Sequence, residues 1–168
     1  NYIQHNKELD GALYKPERPV IFTKADSSLL KDKKPFFLPE WSEDMRQNPC
    51  YVARINRLGK YIAPKFASRY YDAIVFGTDF VAMDLVARDF ARATAFDNAL
   101  AVGNLNIATS DKRQPERAEA MMNKAISEVS RVVTLRMGDL VYIDFPQEPE
   151  IVVREQVIER DGLFCRIK

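Results

Sequence analysis

One stretch of the chain sustains a helical period over several turns. Between Pro115 and Val133, the residues Ala118, Met121, Met122, Ala125, Ile126, Val129 and Val132 recur at intervals of three and four, which lines them along one face. Asp111 and Glu116 lie near the positive end of that helix, and its methionine pair reads as core filler. The chain around it is made of short β-rich runs cut by proline and glycine. Val20 to Thr23 reads as a buried strand with Lys24 at its end, and Pro35 to Pro39 as an edge strand or extended loop. Tyr51 to Ile55, Ala73 to Phe76 and Leu140 to Phe145 read as further strands. Ile151 to Ile158 and Leu163 to Ile167 complete the set, joined at Asp161-Gly162, a strong hairpin signal. Shorter helices are expected over Pro64 to Tyr71 and Asp84 to Ala95, with a helical turn within Asn1 to Leu9. Strands that do not alternate regularly with helices predict an α+β fold, a β-rich body with a few packed helices. With 168 residues, no repeat and no linker, the chain is expected to form a single domain over 1–168.

Charge excludes some partners. Lys plus Arg total 25 against 24 Asp plus Glu, with the signs interleaved, so the chain carries no footprint for nucleic acid or an anionic membrane. No apolar run approaches the roughly 20 residues that span a bilayer, and no secretory signal opens the chain. A soluble, cytoplasmic protein is expected. Cys50 and Cys165 are the only cysteines, lack any zinc-ligand spacing, and are expected to be reduced. The chain opens at Asn1 in mid-motif, so a short first strand is expected upstream.

Few residues carry chemistry on their own. The single histidine, His5, has Glu8 three residues on, which a helical turn places on the same face. A glutamate there can orient the imidazole and stabilise its charged form, as a general base requires; a surface ion pair has the same spacing.

The order of segments adds a resemblance. "NYIQHNKELDG", "PERPVIFTKADSSLL", "RLGKYIAPKFASRYYDAI", "TDFVAMDL", "FDNALAVG", "SRVVTLRMGDLVYIDFP" and the terminal "LFCRIK" resemble, in register, segments of the fumarylacetoacetate hydrolase family. That resemblance implies a β-rich roll, a homodimer, a bound Mg²⁺ or Mn²⁺, and hydrolysis or decarboxylation of small β-keto acids such as acylpyruvates and oxaloacetate. It implies that His5 and Glu8 are the catalytic pair that activates water, that Lys24 lines the substrate site, and that Asp79 ligates the metal. Read without it, Lys24 is a solvated lysine at a strand end and Asp79 a turn cap.

The departures from the family pattern fall where the chemistry should be. Its Glu-x-Glu ligand pair falls on Asn48 and Cys50, an amide and a thiol in place of hard carboxylate ligands. Its catalytic lysine falls on Thr94, its glutamine on Val86, and a substrate-contacting threonine on Phe145. The stretch from Asp84 to Phe96 is short, and the long hairpin region has shrunk to Asn104 to Gln114. Two expectations follow: an enzyme of this family with impaired chemistry and a weak or absent metal, or a metal-free, inactive homologue or redesigned scaffold. A cleft around His5, Lys24 and Asp79 that binds a keto acid without turnover is a third.

Overall fold

The computed structural model describes residues 20–105, 116–160 and 162–168. Its frame is the long antiparallel pairing of β2 (Met45–Ile55) with β3 (Tyr71–Ala82), in register from Met45 opposite Ala82 to Arg54 opposite Ala73. β5 (Leu140–Asp144) pairs antiparallel with the other edge of β2, and β4 (Leu100–Val102) with β3. β1 (Leu29–Lys31) joins β4 in parallel, and the two-residue β6 (Glu150–Ile151) adds to β2. The sheet order is β1-β4-β3-β2-β5, while β7 (Val157–Arg160) and β8 (Leu163–Arg166) form a separate hairpin with Gly162 at φ 77°.

Alternation along the strands decides what each face meets. Tyr51, Ala53, Ile55, Ile74, Val141 and Ile143 project onto α2 (Glu116–Val132), whose Met122, Ala125 and Ile126 are fully buried against them. The predicted three-and-four periodicity is thus the stripe that docks the helix. Cys50, Val52, Leu100, Val102 and Tyr142 occupy the opposite face, closed over by Phe22, Leu29 and Leu105. A further cluster joins sheet and hairpin, with Phe36 stacked on Phe80 at 3.9 Å beside Leu163 and Cys165. The architecture is α+β, as expected.

Several boundaries differ from the sequence reading. Val20 to Thr23 is not a strand: Val20 makes an isolated bridge and residues 21–25 pair with nothing in the sheet. Their side chains explain it, since Phe22 packs edge-on against Phe90 at 5.2 Å and near Tyr142 at 6.0 Å, so this segment crosses the sheet face. The helix expected over Asp84 to Ala95 shrinks to α1 (Phe90–Thr94), because Asp89 caps it by accepting from the Arg92 N–H at 3.0 Å. Pro64–Arg69 is a 3-10 turn. The strand expected over Ile151 to Ile158 is broken around Glu155, whose φ of 64° no strand accommodates. The helical turn expected within Asn1 to Leu9 lies outside the described residues. Both cysteines are free and buried. Among the described residues, no helix is long and apolar enough to cross a membrane.

Candidate functional site

The face of the sheet beneath Phe22 carries an unusual number of polar side chains. Asn48 and Cys50 follow the same alternation as Val52, which puts all three on that face of β2. Strand register sets Asp79 opposite Asn48, and Asp144 opposite Cys50 on the other side. Tyr142, two residues before Asp144, shares its face. Asn48, Asp79 and Asp144 are buried, the two aspartates with no exposed surface at all.

Lys24 reaches into this cluster from the segment that crosses the sheet. Its Nζ lies 2.7 Å from Asp79 Oδ1, and the pair is almost completely enclosed, with side-chain exposures of 4% and 0%. The same ammonium donates to the Thr94 carbonyl in the last turn of α1 and sits about 6 Å from the ring centres of Phe22 (6.0 Å) and Tyr142 (5.9 Å). The Tyr142 hydroxyl donates a long hydrogen bond, 3.5 Å, to Asp79 Oδ2. Among the described residues, Asn48 Oδ1 and both carboxylate oxygens of Asp144 have no hydrogen-bond partner.

Among the described residues two carboxyls share this cluster with one ammonium, and burial acts on each of them. Burial raises the Asp79 carboxyl, opposed by the Lys24 ammonium and the Tyr142 hydroxyl. Among the described residues Asp144 has no hydrogen-bond partner; burial, then the nearby Asp79 charge, pushes it well above the usual carboxylate range against the pull of Lys24. Burial, then Asp144 and Asp79, likewise push the Cys50 thiol well up, and burial and Asp79 push up the Tyr142 phenol. The contact with Lys24 works against the effect of burial at Asp79, whereas burial favours the neutral forms of Asp144, Cys50 and Tyr142.

Of the residues picked from the sequence, Lys24 and Asp79 are brought into contact, while His5 and Glu8 lie outside the described residues. Asn48 and Cys50 border the same cluster, and Thr94 enters it through its backbone carbonyl. Phe145 turns away and packs on Tyr51 across the sheet, ring centres 4.7 Å apart; Val86 belongs to a separate cluster with Val81 and Ala93. Asp144 and Tyr142 were missed, although the alternation of "LVYID" places the two on one face. A cavity of about 430 Å³ is bordered by Lys24, Asp26, Leu100, Val133, Asp139 and Leu140; of the polar cluster only Lys24 lines it.

A divalent metal does not fit these residues. The position beside Asp79 that a cation would take is filled by an ammonium at contact distance. Asn48 offers only a neutral amide, and burial opposes ionisation of both the Cys50 thiol and the Asp144 carboxyl. Among the described residues, no three His, Cys, Asp or Glu side chains converge as a metal site.

The family model for the fumarylacetoacetate (FAA) hydrolase C-terminal domain matches residues 1–124. No curated protein sequence matches the chain significantly. Solved structures are similar in fold. A fumarylpyruvate hydrolase from Pseudomonas aeruginosa, in complex with Mn²⁺ and pyruvate, superposes with a TM-score of 0.78 at 21% identity, over 99% of this chain and 85% of its own. A 2-hydroxyhepta-2,4-diene-1,7-dioate isomerase from Mycobacterium marinum gives 0.77 at 22% identity, over 92% and 70%. A 5-carboxymethyl-2-hydroxymuconate delta-isomerase from Mycobacterium smegmatis gives 0.75 at 21% identity, over 90% and 70%.

Proposed function

The chain belongs to the fumarylacetoacetate hydrolase family, and from that premise we propose that it keeps the family's fold while its metal-assisted cleavage of small β-keto acids is impaired, as in a metal-free, catalytically inactive homologue. The observation that carries this reading is the buried contact of Lys24 with Asp79. In a metal-assisted reaction of this kind the ion supplies the positive charge that stabilises a developing enolate or oxyanion. Here the aspartate that the family resemblance assigns to the metal is already neutralised, and the two positions assigned to glutamates carry no charge. Removing one preorganised electrostatic donor costs on the order of 10² to 10³ in rate, so losing an ion, its ligands and the lysine at position 94 together leaves little.

His5 and Glu8 remain, in this reading, as the inherited base and orienter, and Lys24 as a group at the edge of the cleft. The homodimer and cytoplasmic location implied by the family belong to the same reading. The 430 Å³ cavity beside Lys24 is in the size range of small-molecule pockets, which favours keto-acid binding without turnover as the second reading. The test is a turnover assay with an acylpyruvate and with oxaloacetate, in Mg²⁺ or Mn²⁺ and in chelator. No metal-dependent rate above the uncatalysed reaction is expected; metal-dependent turnover would refute the proposal.

A further inference from the structure

We propose that Lys24 is a built-in cation of this protein, holding together the polar cluster between β2, β3 and α1 so that the site has no need of a metal ion. The inference rests on the reading above and extends it to the residue that replaces the ion. Three observations carry it. The first is enclosure: an ammonium and a carboxylate 2.7 Å apart, with side-chain exposures of 4% and 0%, have given up nearly all their hydration, and neither tolerates burial without the other. The second is the way the ammonium is held. Its neighbours come from four separate places in the chain: Asp79 on β3, the Thr94 carbonyl at the end of α1, the Phe22 ring two residues upstream, and the Tyr142 ring on β5. Lys24 therefore ties the segment crossing the sheet to both α1 and β3.

The third observation is the path of the backbone. Residues 21–25 leave the sheet unpaired, and this detour is what lets a lysine from outside reach a carboxylate at the centre of a strand. Position 94 offers no second cation. The family resemblance assigns a lysine there; this chain has Thr94, whose main-chain carbonyl accepts a hydrogen bond from the lysine supplied by position 24. Of the two lysines that the resemblance places in the site only Lys24 is present, and it lies against the carboxylate assigned to the metal.

The experiment is a double-mutant cycle with Lys24→Met, Asp79→Asn and both together, read by urea unfolding of the full chain, with Mn²⁺ added to the wild type in parallel. Each single variant should shift the unfolding equilibrium strongly toward the unfolded state. The double variant should recover much of that loss, with a coupling of more than about tenfold in the equilibrium constant. Mn²⁺ should leave the wild-type midpoint unmoved. Additive single effects, or a wild-type midpoint that rises with Mn²⁺, would overturn the inference; the Mn²⁺ arm decides even where a single variant does not fold. Metal-independent turnover of a keto acid together with strong coupling would sink the functional reading and leave this inference standing, whereas additivity without turnover would do the reverse.

Discussion

Replacing Asp144 by asparagine should make the protein more resistant to alkaline conditions. Asp144 is fully buried, neither of its carboxylate oxygens has a hydrogen-bond partner among the described residues, and burial with the neighbouring Asp79 pushes its carboxyl well above the usual range. Its unfolded value is about 3.9. The folded state thus binds the proton more tightly, and the stability this contributes is present below pH about 4 and lost as pH rises toward the folded value. Between the unfolded and the folded value the loss runs at about 1.4 kcal/mol per pH unit. Asparagine resembles the protonated acid in shape and cannot ionise, so Asp144→Asn should remove this slope. Cys50 and Tyr142 also face the cluster and are raised, but they ionise in the unfolded chain only near 8.5 and 10, and contribute no slope below pH 8. Lys24 and Asp79 are common to both proteins. Urea unfolding of wild type and variant across pH 5 to 8 reads the difference. A fixed offset from the extra amide hydrogen is expected; the variant's relative gain as pH rises is the signal. Parallel stability curves would refute the reasoning.

Two further substitutions test the packing around the same frame. Gly77→Ala would set a Cβ 2.7 Å from Val52 Cγ2, 2.9 Å from Cys50 Sγ and 3.0 Å from the Ala101 carbonyl, an overpacking expected to cost about 1–3 kcal/mol in chemical denaturation, with an unchanged midpoint as the contrary result. Ser130→Ala removes a fully buried hydroxyl that accepts from the Ile62 N–H and donates to the Ser127 carbonyl, each at 2.9 Å. The stranded N–H should lower stability by about 1–3 kcal/mol in the same measurement, and a loss under about 0.5 kcal/mol would contradict the assignment.

How much of this was legible in the sequence depends on the residue. The amphipathic helix was readable nearly to its ends, because its buried stripe is apolar throughout: Pro115 to Val133 expected, Glu116–Val132 observed. The central strands were read too short, Tyr51 to Ile55 for Met45–Ile55 and Ala73 to Phe76 for Tyr71–Ala82. What hid their remainder was the site itself. Gln47, Asn48 and Pro49 on β2, and Thr78 and Asp79 on β3, look like turn residues, and only the paired sheet makes them interior. The same effect concealed Asp144, a carboxylate ending an otherwise apolar strand. Lys24 and Asp79 were each singled out, but their contact spans the sheet face and follows from no local spacing. His5 and Glu8 lie outside the described residues, so their part in the chemistry rests on the family resemblance.

With the Lys24 ammonium against Asp79 and no glutamates at positions 48 and 50, Mn²⁺ has no place to bind. A calorimetric titration of the wild-type protein with Mn²⁺, with keto-acid turnover assayed on the same samples, tests it most directly. No saturable binding at the site and no metal-dependent rate are expected. Stoichiometric Mn²⁺ binding that brings turnover with it would contradict it.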